Sequence, residues 1–187
     1  MAEGRPALLL MDLMNGVVGR YSDAGSGELV VRLARALEHA RASGVLVIHV
    51  RVAFREGYPE VSPANKAFRA LASTGGLRDA DAATAVVDGL APAPGEVVVT
   101  KRRVSAFAGS DLEVVLRSRS IDTLVLAGIA TSGVVLSTLR EAADRDYRLV
   151  VLSDGCLDAD PEIHRVLLEK VFPRQAEVTT TGGWISG

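Results

Sequence analysis

The sequence predicts an α/β protein built on a parallel sheet that is covered on both faces. Five short runs, ALLLM at 7–11, VLVIHVRV at 45–52, VVVT at 97–100, TLVLA at 123–127 and LVVL at 149–152, are almost continuously apolar. Strands that face water on one side alternate instead, so these runs belong to a sheet buried on both sides. Amphipathic helical patterns lie between them, and strand–helix–strand repetition argues for right-handed parallel crossovers. Composition agrees: 48% of the 187 residues are hydrophobic but only 4% are aromatic, a profile of helices packed on a sheet.

Taken in order, the first strand runs over 7–11. A helix over 28–42 places Leu29, Leu33, Ala36, Leu37 and Ala40 on one side, with Arg32, Arg35, Glu38 and Arg41 elsewhere, and Gly44 stops it. The second strand follows at 45–52. Residues 53–95, rich in Ala, Gly and Pro, carry only short helical pieces and read as a lid or an interface loop. The third strand leads to a helix over 111–118 with Leu112, Val115 and Leu116 in its stripe. After the fourth strand, Val135, Leu139, Ala142 and Ala143 form the stripe of a helix over 133–146. The fifth strand, 149–152, precedes a helix opened by Asp160-Pro161, where proline suits the first turn, and closed by Phe172-Pro173. EVTTT at 177–181 is a weaker sixth strand. The chain has no internal repeat and reads as one domain over 1–187 with the 53–95 excursion.

Several function classes fall away. A net charge of -2 gives no electrostatic footprint for nucleic acid or an anionic membrane. No apolar run reaches the roughly 18 residues of a membrane helix, and the N-terminus lacks the pattern of a signal peptide. The expectation is a soluble cytoplasmic protein. The one cysteine, Cys156, rules out an intrachain disulfide. No G-x-G-x-x-G follows the first strand, against a dinucleotide-binding dehydrogenase, and no G-x-S-x-G elbow exists.

Ligands of doubly wound sheets bind beyond the carboxyl ends of the strands. Those ends carry Asp12, His49 and Arg51, Lys101, and a small-residue elbow from Gly128 to Thr131. An acid and a base on neighbouring strand tips can fix each other's protonation state. Each has a plainer reading: Asp12 as a cap or surface group, Lys101 as part of the solvated run Lys101-Arg102-Arg103.

The segments ALLLMDLMNG at 7–16, VVVTKRRVSAFAGSDLEVVLRSRSIDTLVLAGIATS at 97–132 and STLREAADRDYRLVVLSDGC at 137–156 resemble the isochorismatase-like hydrolases, the superfamily of nicotinamidases and related cysteine amidases. The resemblance implies a three-layer α/β/α fold with a six-stranded parallel sheet of order 3-2-1-4-5-6. It implies a Cys-Asp-Lys site in which Asp12 handles protons and Lys101 holds the aspartate. The nucleophile position falls on Val134, so the cysteine is missing; Cys156 matches only a structural cysteine. The resemblance further implies a cis peptide at Ile129-Ala130 and an oxyanion pocket made by the amides of Ala130 and Val134, which needs backbone alone. True isochorismatases also lack the cysteine, but they carry glycine where this chain has Val134, and a longer N-terminal extension.

No other residue is an evident nucleophile. Ser132 is placed to cap the helix, Thr131 fits the family's turn threonine, and Ser137 lies one turn inside. The metal-binding histidines of nicotinamidases have no match in HVRVAFREGYPE, so neither a metal nor another cofactor is expected. His49 reads as a packed strand residue or a substrate contact. Arg51 reads as an anchor for an acidic substrate or a partner of Asp12 or Glu56, and Phe107 and Phe54 as pocket walls or core.

The leading expectation is a hydrolase of a small, carboxylate-bearing metabolite, cleaving a C–N or enol-ether bond without covalent catalysis. Asp12 acts as general acid or base, Lys101 as its electrostatic partner, and Ala130 and Val134 as amide donors; Arg51, His49, Phe107 and Ser132 contact substrate. The alternative is a catalytically silent binding or oligomerisation protein. By resemblance the chain is a homo-oligomer, dimer or tetramer, with the excursion and helix 133–146 as contact surfaces.

Overall fold

The computed structural model describes residues 4–187. Six strands, β1 (Pro6–Met11), β2 (Leu46–Val52), β3 (Val97–Lys101), β4 (Thr123–Ile129), β5 (Arg148–Leu157) and β6 (Glu177–Thr179), form one sheet. Its order is β3-β2-β1-β4-β5-β6 and every pairing is parallel. Chain order reverses between β1 and β4, which puts the ends of β1, β2, β3 and β4 around one crevice.

The helices are α1 (Asn15–Val18), α2 (Ser26–Ala42), α3 (Lys66–Ser73), α4 (Leu112–Ser118), α5 (Leu136–Ala143), α6 (Pro161–Val166) and α7 (Thr181–Ser186). Alternate strand residues supply two cores. Ala7, Leu9, Met11, Ile48, Val50 and Val99 pack against α4, α5 and the segment after α6. Leu8, Leu10, Val47, Val125 and Ala127 pack against α2, with Trp184 of α7 beside them. Three layers result, with central β1 and β4 buried on both faces as their unbroken apolar runs require. A third cluster, Met14, Val52, Phe54 and Leu77, anchors the 53–95 excursion, which holds only α3 and two short 3-10 turns.

Several boundaries differ from the expectation. α2 begins at Ser26, and residues 15–24, with no strong apolar period, form α1 and a 3-10 turn. β5 is ten residues long, not four: after a register irregularity opposite Leu126 and Gly128 it resumes, pairing Gly128 with Cys156. Cys156 therefore sits inside β5, not past it. The helix expected over 133–146 opens with a π-helical turn over Thr131–Val135 and ends at Ala143. β6 stops at Thr179, since the Thr180 side chain accepts from the Gly183 N–H and caps α7. No helix among the described residues is long and apolar enough to cross a membrane.

Candidate active site

Asp12 follows β1 directly. Its N–H donates to the Val50 carbonyl (2.8 Å), and its φ of 56° turns the chain left-handed at the sheet rim, a conformation aspartate tolerates better than most residues. Lys101 is the last residue of β3 and reaches across the end of β2. Its Nζ lies 2.9 Å from Asp12 Oδ2 and donates to the Arg103 carbonyl at 3.0 Å. Both residues are buried, 7% and 2% exposed. Burial pushes the Asp12 carboxyl above its ordinary range, against the opposing pull of the Lys101 ammonium. Asp12 Oδ1 is buried and has no hydrogen-bond partner among the described residues. Such an atom costs free energy unless something arrives to pair it.

The elbow faces this pair from β4. Gly128 has φ of 146°, and a Cβ there would lie 2.1 Å from the Met11 carbonyl oxygen. Only glycine permits that approach. The Ile129–Ala130 bond is cis. In the π turn the Ala130 carbonyl accepts from the N–H groups of Gly133 (3.1 Å) and Val135 (3.3 Å), passing over Val134. Among the described residues, no acceptor outside their own turn takes the N–H of Ala130 or Val134. The Val134 side chain is 2% exposed and belongs to the core that includes Ala106, Phe107 and Leu139. Thr138 ties α5 to the loop after β3, accepting from the Ala106 N–H at 2.9 Å.

The other expected residues are dispersed. Ser132 does not cap the helix with its side chain; it is exposed, and its N–H donates to Asp158 Oδ2 at 2.7 Å. His49 is fully buried, its Nε2 is 3.0 Å from Glu96 Oε2, and Glu96 also binds Arg41. Strand parity puts His49 and Arg51 opposite Ile48 and Val50, on the α2 side of the sheet. Arg51 pairs with neither Asp12 nor Glu56. It donates to Thr100 Oγ1 (3.0 Å) and Thr84 Oγ1 (3.4 Å), with Asp79 at 3.9 Å. The Phe107 ring packs under the Arg145 guanidinium (4.8 Å) and beside Tyr147 (6.1 Å), in the core rather than a pocket wall. Phe54 is fully buried against Phe68 and Tyr58. Burial pushes the Cys156 thiol up to about 12, an inert group.

Two residues at the elbow escaped the sequence reading. Asp158 holds the Ser132 N–H, and His164 Nδ1 lies 2.8 Å from Thr131 Oγ1. Both come from the segment after β5, more than twenty residues away in sequence, where only the fold could signal the contact. Among the described residues no cluster of three His, Cys, Asp or Glu is arranged to hold a metal. A cleft of about 910 Å³, lined by Arg55, Glu60, Val98, Thr100 and Arg103 among others, opens beside edge strand β3 and includes neither Asp12 nor Lys101.

Comparison with known proteins places this geometry. The isochorismatase domain matches residues 6–182. A ureidoacrylate amidohydrolase, RutB, of Methylobacterium radiotolerans is 35% identical over 96% of this chain and 75% of its own. The crystal structure of a cysteine hydrolase from Pseudomonas syringae pv. phaseolicola superposes with a TM-score of 0.88 at 26% identity, covering 97% of this chain and 91% of that one. N-carbamoylsarcosine amidase from Thermoplasma acidophilum gives 0.78 at 27% identity, covering 95% and 96%. With its six-stranded sheet in the same order and its match over nearly the whole length, the chain belongs to the isochorismatase family of hydrolases.

Proposed function

We propose that this protein hydrolyses the C–N bond of a small ureido acid, with water rather than a cysteine as the attacking group. The observation that carries the reading is the buried Asp12 Oδ1, which lies beside Lys101 and has no hydrogen-bond partner among the described residues. A carboxylate kept in that state offers one oxygen to a proton in transit while the ammonium holds the other. Two similar proteins narrow the substrate, since ureidoacrylate and N-carbamoylsarcosine both carry a carbamoylated nitrogen and a carboxylate. They favour C–N over enol-ether cleavage.

In this mechanism Asp12 takes a proton from water as the oxygen bonds to the ureido carbon. The negative charge that develops on the carbonyl oxygen is met by the N–H groups of Ala130 and Val134, the latter at a helix start where the dipole assists. The C–N bond then breaks, and Asp12 returns the proton to the departing nitrogen, leaving ammonia and a carbamate. Raising the Asp12 pKa makes it the stronger base, so it accepts the water proton more readily. Lys101 keeps the carboxylate charged enough to act.

The test is turnover of N-carbamoylsarcosine and ureidoacrylate by the wild type and by Asp12→Asn. The variant is expected to lose about 10²–10⁴-fold, the usual share of a general acid–base group, and unchanged turnover would sink the reading. The acid limb of kcat/KM is expected above pH 3.8, the ordinary aspartate value, because the base must be deprotonated. A second reading draws on Val134, whose buried side chain fills the nucleophile position: a binding protein that cleaves nothing. A wild type inert on both compounds, with a Val134→Cys variant that cleaves them, would establish it.

A further inference from the structure

In a regular α-helix the Val134 N–H would donate four residues back, to the Ala130 carbonyl. Here that carbonyl accepts from Gly133 and Val135 instead, and the Leu136 N–H bonds the Thr131 carbonyl. One extra residue in the turn is what takes the Val134 N–H off the Ala130 carbonyl. Wide turns of this kind are uncommon and often stand at functional sites.

Two contacts from one segment grip this turn. Asp158, 8% exposed, accepts the Ser132 N–H on Oδ2 at 2.7 Å and the Asp160 N–H on Oδ1 at 3.4 Å. The Ser132 N–H is one of the orphan donors at a helix start, and a carboxylate there makes a charge-assisted bond. His164 stands 2.8 Å from the hydroxyl of fully buried Thr131. Burial lowers the His164 pKa, so the ring is neutral near pH 7. Residues 131 and 132 are thus pinned side by side from outside the helix they begin.

We propose that Asp158 and His164 are positioning residues that clamp the turn in its widened form and so keep the Val134 N–H available to the substrate oxygen. The use made of that N–H rests on the function proposed above; the clamp itself does not. Without the clamp the turn relaxes to α-helical geometry, Ala130 accepts from Val134, and a donor for the oxyanion is consumed.

The experiment is residue-resolved amide exchange by NMR on Thr131→Val, Thr131→Ser, Asp158→Ala and Asp158→Asn, with kinetics on N-carbamoylsarcosine alongside. Thr131→Val is nearly isosteric and deletes only the hydroxyl, so it carries the test if Asp158→Ala does not fold. In Thr131→Val and Asp158→Ala the Val134 amide is expected to exchange about tenfold more slowly, as it gains an acceptor worth a typical hydrogen bond, while the Ser132 amide speeds up in Asp158→Ala. Thr131→Ser keeps an oxygen in place and should behave as wild type, and Asp158→Asn, which keeps one acceptor but loses the charge, should fall between wild type and Asp158→Ala. In the kinetics kcat falls at least tenfold with KM little changed, because the lost donor acts mainly in the transition state. If Val134 exchange is unchanged, or speeds up together with its neighbours, the residues merely support the fold and the proposal is overturned. A wild type that turns over neither N-carbamoylsarcosine nor ureidoacrylate removes the proposed function, and the exchange data still decide the clamp.

Discussion

The Asp12–Lys101 pair shows how one contact serves stability and chemistry in opposite senses. Two charges this deep are expensive to bring out of water, and their mutual attraction offsets the expense only while both are present. Lys101→Met should therefore destabilise the fold by about 3–5 kcal/mol in denaturant titrations, and Asp12→Asn combined with it should recover part of the loss. A double variant as unstable as Lys101→Met alone would show that the pair is not what the lysine supports. Both residues were legible in the sequence because each is a charged residue ending an apolar run. Asp158 and His164 were not: each stands in a polar stretch, and their partners Ser132 and Thr131 are brought to them by the length of β5. His49 and Arg51 misled for a related reason. Position on a strand told which residues share a face, but not that Glu96 and Thr100 would be waiting on it.

At the level of elements, helix placement followed from patterning and the strand order from the family resemblance, whereas lengths and special turns followed from neither. β5 reads as finished at Leu152 because Ser153, Asp154 and Gly155 break the apolar run, yet pairing resumes after the irregularity and carries the chain on to Leu157. The π turn was invisible for the opposite reason: TSGVVLST is an ordinary helix opening by composition, and only outside contacts widen it. Gly128 offers a direct check on the β1–β4 contact. Gly128→Ala should cost about 4 kcal/mol or more, read as a lost or strongly lowered thermal transition, since the new methyl meets backbone on the facing strand. A variant of wild-type stability would mean the two strands can part.

Across the molecule, a charged hub at Glu96 joins α2, β2 and the approach to β3. Its carboxylate accepts from Arg41 and from the Ala93 N–H and meets His49, and the Arg41 guanidinium chiefly holds its pKa down to about 2, against an ordinary 4.5. A carboxyl with a depressed folded pKa adds stability above its unfolded pKa and loses it as the pH falls through the folded one. Glu96→Gln should thus cost about 2 kcal/mol at neutral pH. The gap from wild type should close between pH 4.5 and about 2; a gap constant with pH would remove the hub from the account. The excursion is fastened separately, by Arg102 bound to both Asp79 oxygens (3.0 Å each) and to the Ala53 carbonyl. Arg102→Met is expected to speed proteolytic nicking within 55–81 while leaving the main thermal transition nearly in place. The contact of Gly128 with Met11 has a wider reach than stability. Because main chain touches main chain there, the gap between the acid and the elbow is inherited from the backbone and owes nothing to the size of neighbouring aliphatic groups. Buried leucines and valines can then be exchanged over many generations, loosening or tightening the protein, while the working dimensions of its centre pass down unchanged.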